Sequence, residues 1–188
     1  MLRSGRPRNA AIDDAIIDAT LSRLASDGFA GMSLSDVAAD AGTSRQALYR
    51  RWPDKTALVV DAIAKLARTD PPQPTGAHFD DLVAELTHFR HCISEPGALP
   101  LAGLMIGEGV EPAVRQTYER EIVIPRRARI RAILEAAIRS GDLPDSADLL
   151  VAGSFLTGSW YALSLAHTPI PDDWAQRTAT AVWAACRG

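Results

Sequence analysis

Between Gly42 and Lys55 the chain gathers Ser44, Arg45, Gln46, Ala47, Tyr49, Arg50, Arg51 and Lys55. The set is rich in hydrogen-bond donors and positive charge, and it pairs no nucleophile with a base. Its chemistry is therefore recognition. An arginine can donate two parallel hydrogen bonds to guanine, and a glutamine can pair twice with adenine. Arg45 and Gln46 are thus the candidates for reading base edges, with Arg50 a third and Ala47 beside them. Phosphate oxygens accept from hydroxyls and cations alike, which suits Ser33, Ser44, Tyr49, Arg51 and Lys55. Arg3, Arg6 and Arg8 form a basic arm that can enter a minor groove or neutralise phosphate.

Such side chains work only if a helix presents them on one face. Leu48 recurs at helical spacing against Val37, Ala38 and Ala41, so an apolar inner face is expected across a turn at Gly42. Ser33 should cap a helix running to about Ala41, with Asp36 three residues on resembling the return half of a capping box. Gly42 can take the left-handed conformation that closes that helix. Ser44 should cap the next, from Arg45 to about Trp52, and Pro53 stops it. A preceding helix is expected from Ala10 to Asp27, ended by Gly28, with Ile17, Leu21 and Leu24 facing inward. The pattern predicts helix, tight turn, helix.

Charge is distributed to match. The net charge is −3, yet residues 1–10 carry three arginines and no acid. Residues 45–55 are also basic, whereas the remainder of the chain is net acidic. Positive charge is concentrated where a phosphate-facing surface needs it. A hydrophobic fraction of 47% excludes a disordered chain. The N-terminal residues lack the apolar run of a signal peptide, and the stretch from Val151 to Ala166 is shorter than the ~20 residues of a spanning helix, so a cytoplasmic protein away from the membrane is expected. Cys92 and Cys186 match no metal or redox spacing. No nucleophile elbow, zinc-protease motif or phosphate-cradling glycine loop occurs, which argues against an enzyme.

Downstream, helices are predicted over residues 55–68, 78–94, 101–107, 112–140, 146–166 and 172–186, with Pro125 kinking or dividing the long one. Residues 71–76, rich in proline, read as a loop. An all-α protein follows. The helix over 149–165 is apolar on more than one face and must be covered on both sides, so a four-helix interface between two subunits, from residues 126–140 and 148–166, is expected. Aromatic and methionine side chains on these faces, namely Phe89, Met105, Tyr118, Phe155, Trp160 and Tyr161, are the candidates for a small-molecule pocket, with core packing as the plainer role. His88, His91 and Cys92 share a face, but no fourth ligand is evident, so neither a metal nor another cofactor is expected. Arg126, Arg127, Arg129 and Arg131 read as a solvated face paired with Glu119, Glu121 and Glu135.

Residues 12–58 resemble the DNA-binding domain of the tetracycline-repressor (TetR) family. The run Ile16-Ile17-Asp18-Ala19-Thr20-Leu21, with Leu24 and Gly28-Phe29, is similar to the family's first helix. Ser33, Val37-Ala38, Ala41-Gly42, Ser44, Leu48-Tyr49, Trp52, Lys55 and Leu58 follow in the family's order. Thr43 replaces a common valine and Thr56 a common glutamate. Residues 124–153, from Ile124-Pro125-Arg126-Arg127 through Gly141-Asp142-Leu143, resemble one C-terminal subgroup. The resemblance implies an N-terminal helix-turn-helix domain over 1–54 and a helical effector-binding and dimerisation domain over 55–188. It implies a homodimeric regulator, a repressor released from an inverted-repeat operator in double-stranded DNA by a small molecule whose identity is unknown. The competing reading is a sequence-specific or architectural DNA-binding protein without an effector.

Overall fold

A computed structural model describes residues 10–107 and 110–188. Arg3, Arg6 and Arg8 of the basic arm lie outside the described residues. Among the described residues ten α-helices run in chain order: α1 (Ala10–Gly31), α2 (Leu34–Asp40), α3 (Arg45–Tyr49), α4 (Lys55–Ala67), α5 (His78–Ser94), α6 (Ala98–Ile106), α7 (Pro112–Tyr118), α8 (Ile124–Arg139), α9 (Leu149–Leu165) and α10 (Trp174–Arg187). No strand occurs among the described residues, so the all-α expectation holds. The chain forms two compact units: Met1–Arg68 with Ser94–Glu121, and Thr69–Ile93 with Ile122–Gly188.

The first unit contains α1–α4, α6 and α7. Ile16, Ile17, Thr20, Leu21 and Leu24 make the buried stripe of α1. Thr20 hides its hydroxyl by donating to the Ile16 carbonyl at 2.7 Å. Gly28, at φ 68°, does not end the helix outright; it breaks it, and a further turn runs on to Gly31. Ser33 accepts from the Asp36 amide at 3.2 Å, while the Asp36 carboxylate takes the Ser33 hydroxyl at 2.9 Å. The reciprocal half of the cap therefore closes on a side chain, because aspartate is too short to reach back to the Ser33 amide. At the end of α2, Gly42 has φ 63° and Thr43 donates to the Ala38 carbonyl at 2.9 Å. Ser44 then accepts from Ala47 N and caps α3, and Asp54 accepts from Ala57 N and caps α4. Val37, Ala38, Leu48, Leu58, Val59, Ala62 and Ile63 are buried. Trp52 joins them and donates its indole N–H to Asp61 at 2.7 Å.

The second unit contains α5, α8, α9 and α10. Phe89 stands edge-on or tilted to Trp160, Tyr161 and Trp174 at centroid distances of 6.1, 6.0 and 5.8 Å. Leu82, Leu86, Ile130, Leu134, Ala137 and Leu156 complete the apolar layer. The expected division at Pro125 takes the form of a π-helical turn, Glu119–Val123, directly before α8. Pro125 then sits in the first turn of α8, and the wider π-turn just before it accommodates a residue with no amide hydrogen. Asp148 accepts from the amides of Leu150 and Val151, and this cap delays α9 until Leu149. No helix among the described residues is long and apolar enough to cross a membrane.

Candidate nucleic-acid interface

The caps at Ser33 and Ser44 and the turn at Gly42 set α3 with Leu48 fully buried beneath it. Arg45, Gln46 and Tyr49 of α3 and Arg50 at its C-cap are all exposed, with Ala47 half-buried. Arg45 lies over the Tyr49 ring, 5.3 Å from guanidinium carbon to centroid, and donates to the Tyr49 hydroxyl at 3.2 Å. Stacking holds the guanidinium plane in place without using all of its five donors. Ser44 is exposed and Ser33 half-buried, each already serving its cap.

Arg51 and Lys55 are held by the protein. Arg51 donates through Nε to Asp13 of α1 and through Nη1 to the Ala47 carbonyl at 3.0 Å. Lys55 Nζ donates to the carbonyls of Phe29, Ala30 and Met32 at 2.6, 3.4 and 3.3 Å, where α1 ends. An ammonium has three donors, and Lys55 directs them into the fold. A further clamp joins Arg23 of α1 to Asp40 at the end of α2, at 2.6 and 3.0 Å. These pairs tie α1 to the helices that carry the exposed row.

The six pocket candidates divide between the two units. Phe89, Trp160 and Tyr161 meet in one aromatic cluster. Met105 and Tyr118 belong to the other unit, and Tyr118 is buried there. Phe155 points outward from α9 with 64% of its surface exposed. Of the arginines expected on a solvated face, Arg131 pairs with Glu135 at 2.7 Å as read. Arg129 does not join them: it pairs with Glu85 of α5 through three hydrogen bonds of 2.8–3.1 Å, and Glu85 is only 2% exposed. Arg126 stacks on Phe89 at 4.8 Å. Helical periodicity within α8 cannot reveal a partner on α5, and Glu85 carries no sequence signal beyond a charge on an otherwise apolar face.

His88 Nε2 lies 3.5 Å from Cys92 Sγ. Burial lowers the His88 pKa and raises that of Cys92, so each favours its neutral form. Among the described residues no three His, Cys, Asp or Glu side chains are grouped to hold a metal ion.

Comparison with known proteins agrees with this architecture. The sequence profile of the bacterial regulatory proteins of the tetR family matches residues 16–70, and that of the tetracyclin repressor-like C-terminal domain matches residues 72–182. The HTH-type transcriptional regulator YdeS of Bacillus subtilis is 24% identical over 93% of this chain and 89% of its own length. The HTH-type transcriptional regulator AqdR of Rhodococcus erythropolis is 27% identical over 75% of this chain and 68% of its own. Among solved structures, MexZ of Pseudomonas aeruginosa, described as a key repressor responsible for antibiotic resistance, superposes with a TM-score of 0.72 at 19% identity, covering 94% of this chain and 95% of that one. With both halves of the chain matched and a helix-turn-helix built as the family builds it, the protein belongs to the TetR family of DNA-binding transcriptional regulators and is not an enzyme.

Proposed function

We propose that the protein acts in the cytoplasm as a homodimeric repressor that holds an inverted-repeat operator and leaves it when a small molecule binds the C-terminal part. One observation carries the reading: Arg45, Gln46 and Tyr49 of α3 and Arg50 at its C-cap are exposed while Leu48 among them is fully buried. A helix braced in this way can enter a major groove. In this reading Arg45 and Gln46 contact base edges, with Ala47 against them, and Ser33, Ser44 and Tyr49 face phosphates; Arg50, read from the sequence as a third base contact, is the C-cap of α3 and is assigned here to phosphate. Arg51 and Lys55 add positive charge to the same side but act chiefly by fixing the position of α3. Functionally, residues 1–54 are the DNA-binding head and residues 55–188 the effector and dimer portion.

Dimerisation is supported by apolar surface on α9, where Leu150, Val151, Phe155 and Leu165 are exposed. Val151 and Phe155 border an open cavity shared with Ala181, Val182 and Ala185 of α10. Leu150 and Gly153 of α9 border a second open cavity with Ala128 and Ile130 of α8, in keeping with the pairing of residues 126–140 with 148–166 read from the sequence. Footprinting on the DNA flanking the gene tests the function. Two protected half-sites related by a dyad, about one helical turn apart, are expected. Uniform protection without sequence preference would indicate an architectural protein instead.

A further inference from the structure

The second unit contains a cavity of about 440 Å³ that the aromatic candidates do not line. Pro71, Pro72 and Pro74 form one wall, and Ala132, Ile133 and Ala136 of α8 another. Its size is within the range of small-molecule sites, roughly 300–1,000 Å³.

The charged groups at this cavity are already matched. Glu85 and Arg129 form an ion pair at its wall. Asp81 takes the amide and hydroxyl of Thr75 at 2.8 and 2.7 Å and the amide of Gly76 at 3.0 Å. His78 pairs with Asp142 at 2.8 Å. An occupant bearing a full charge would therefore find no unmatched counter-charge. An acid would face Glu85 and Asp81, and an ammonium would face Arg129; a charge left unpaired in an apolar site is costly.

Capacity for a neutral polar group remains. The hydrogen bonds from Arg129 to Glu85 use Nε and Nη2, which leaves Nη1 outside the pair. Glu85 Oε2 accepts once, from Nε, and a carboxylate oxygen has room for a second donor. The geometry points to a binding site for an uncharged molecule with a rigid apolar body and one polar end that both donates and accepts, such as an amide, against the Glu85–Arg129 pair. This deepens the effector reading and rests on it only for the consequence for DNA. The stiff proline segment follows α4 in the chain, and Asp81 anchors its far end.

The test uses the full chain and three near-isosteric probes: naphthamide, naphthoate and naphthylmethylammonium, titrated by calorimetry. Naphthamide should bind at least about tenfold more tightly than either ion, a difference of about 1.4 kcal/mol. Ala132→Trp and Ala136→Phe, which add bulk to the wall without touching the ion pair, should each weaken naphthamide by at least that factor while the chain still melts cooperatively. Glu85→Gln, which leaves Arg129 unmatched, should transfer the preference to naphthoate. No binding of the amide, equal binding of all three probes, or an amide affinity indifferent to both bulky variants overturns the assignment. Naphthamide binding that shows this pattern but leaves operator affinity unchanged supports the cavity and counts against its being the effector site. Operator release by a probe that ignores both bulky variants overturns the cavity and keeps the effector reading.

Discussion

Lys55 Nζ stands 4.6 Å from the centroid of the Phe29 ring while donating to the Phe29 carbonyl at 2.6 Å. The first residue of α4 thus closes the last turn of α1, through charge on carbonyls and through the ring face together. Lys55→Met keeps most of the stem and removes the ammonium, leaving carbonyls short of a donor. A loss of about 1–3 kcal/mol is expected, read as a lower thermal midpoint. If Lys55 were chiefly a phosphate ligand, the salt dependence of operator binding would fall by about one unit of slope with stability intact.

The exposed row on α3 separates by chemistry. Arg45→Ala and Gln46→Ala should each relax preference at one operator position, by about 1–3 kcal/mol between the best and the wrong base pair. Arg50→Ala should weaken all sequences alike and reduce the salt slope by about one. Competition binding on single-base operator variants at several salt concentrations distinguishes these outcomes. Arg45 has a second dependence: Tyr49→Leu removes the ring and hydroxyl that hold it, and should reproduce part of the Arg45→Ala loss.

The local elements were legible because their signals are local. Ser33, Gly42 and Ser44 each act within a few residues of themselves, and each serves at the cap or turn read for it. Partnerships across the chain were not legible. Nothing near Lys55 in sequence announces that the carbonyls at the end of α1 await it, and nothing near Arg129 points to Glu85. Residue type alone does not single out pocket residues, since aromatic side chains fill cores as readily as they line sites. The cavity beside Pro71 was missed because its walls are proline and alanine, which mark loops and helices in a sequence and carry no ligand signature.

Asp81 ties stability to pH. Burial alone would push its carboxyl up, but the hydrogen bonds from Thr75 and Gly76 prevail and hold it below the usual carboxylate range. A folded-state pKa below the unfolded one contributes stability that is present above the unfolded value, about 3.9, and is lost as pH falls through the folded value. Asp81→Asn places an amide among three donors and should cost about 1–3 kcal/mol at neutral pH. It should also flatten the acid limb, so that the variant and the parent converge as pH falls below about 4. Thermal melts across that range check both effects.

Phe155 tests the proposed subunit contact. A large ring exposed on α9 and bordering an open cavity with α10 is expensive to leave in water. Phe155→Glu should weaken the dimer by about 2 kcal/mol or more, as hot-spot aromatics do. Sedimentation at graded concentrations should show monomer where the parent is dimeric, and operator affinity should fall with it. A variant that remains dimeric would move the interface off this face.

Gly97 fixes how α6 begins against α1. It caps α6 in the left-handed region at φ 81°, and a Cβ built there would stand 2.9 Å from both the Cβ and the carbonyl oxygen of Leu21. Gly97→Ala therefore meets two penalties: a conformation costing roughly 1–2 kcal/mol for a residue with a Cβ, and a clash with backbone that cannot rotate away. Gly103→Ala, in the same helix with nothing within 4 Å of the added methyl, is the control and should stabilise by up to about 1 kcal/mol. Opposite signs for the two substitutions in thermal melts are the expected result. Leu21 lies on the buried stripe of α1, and the Lys55 and Arg51 contacts hold that helix to the recognition row. A shift forced at Gly97 should therefore also reduce operator affinity, whereas Gly103→Ala should leave it unchanged.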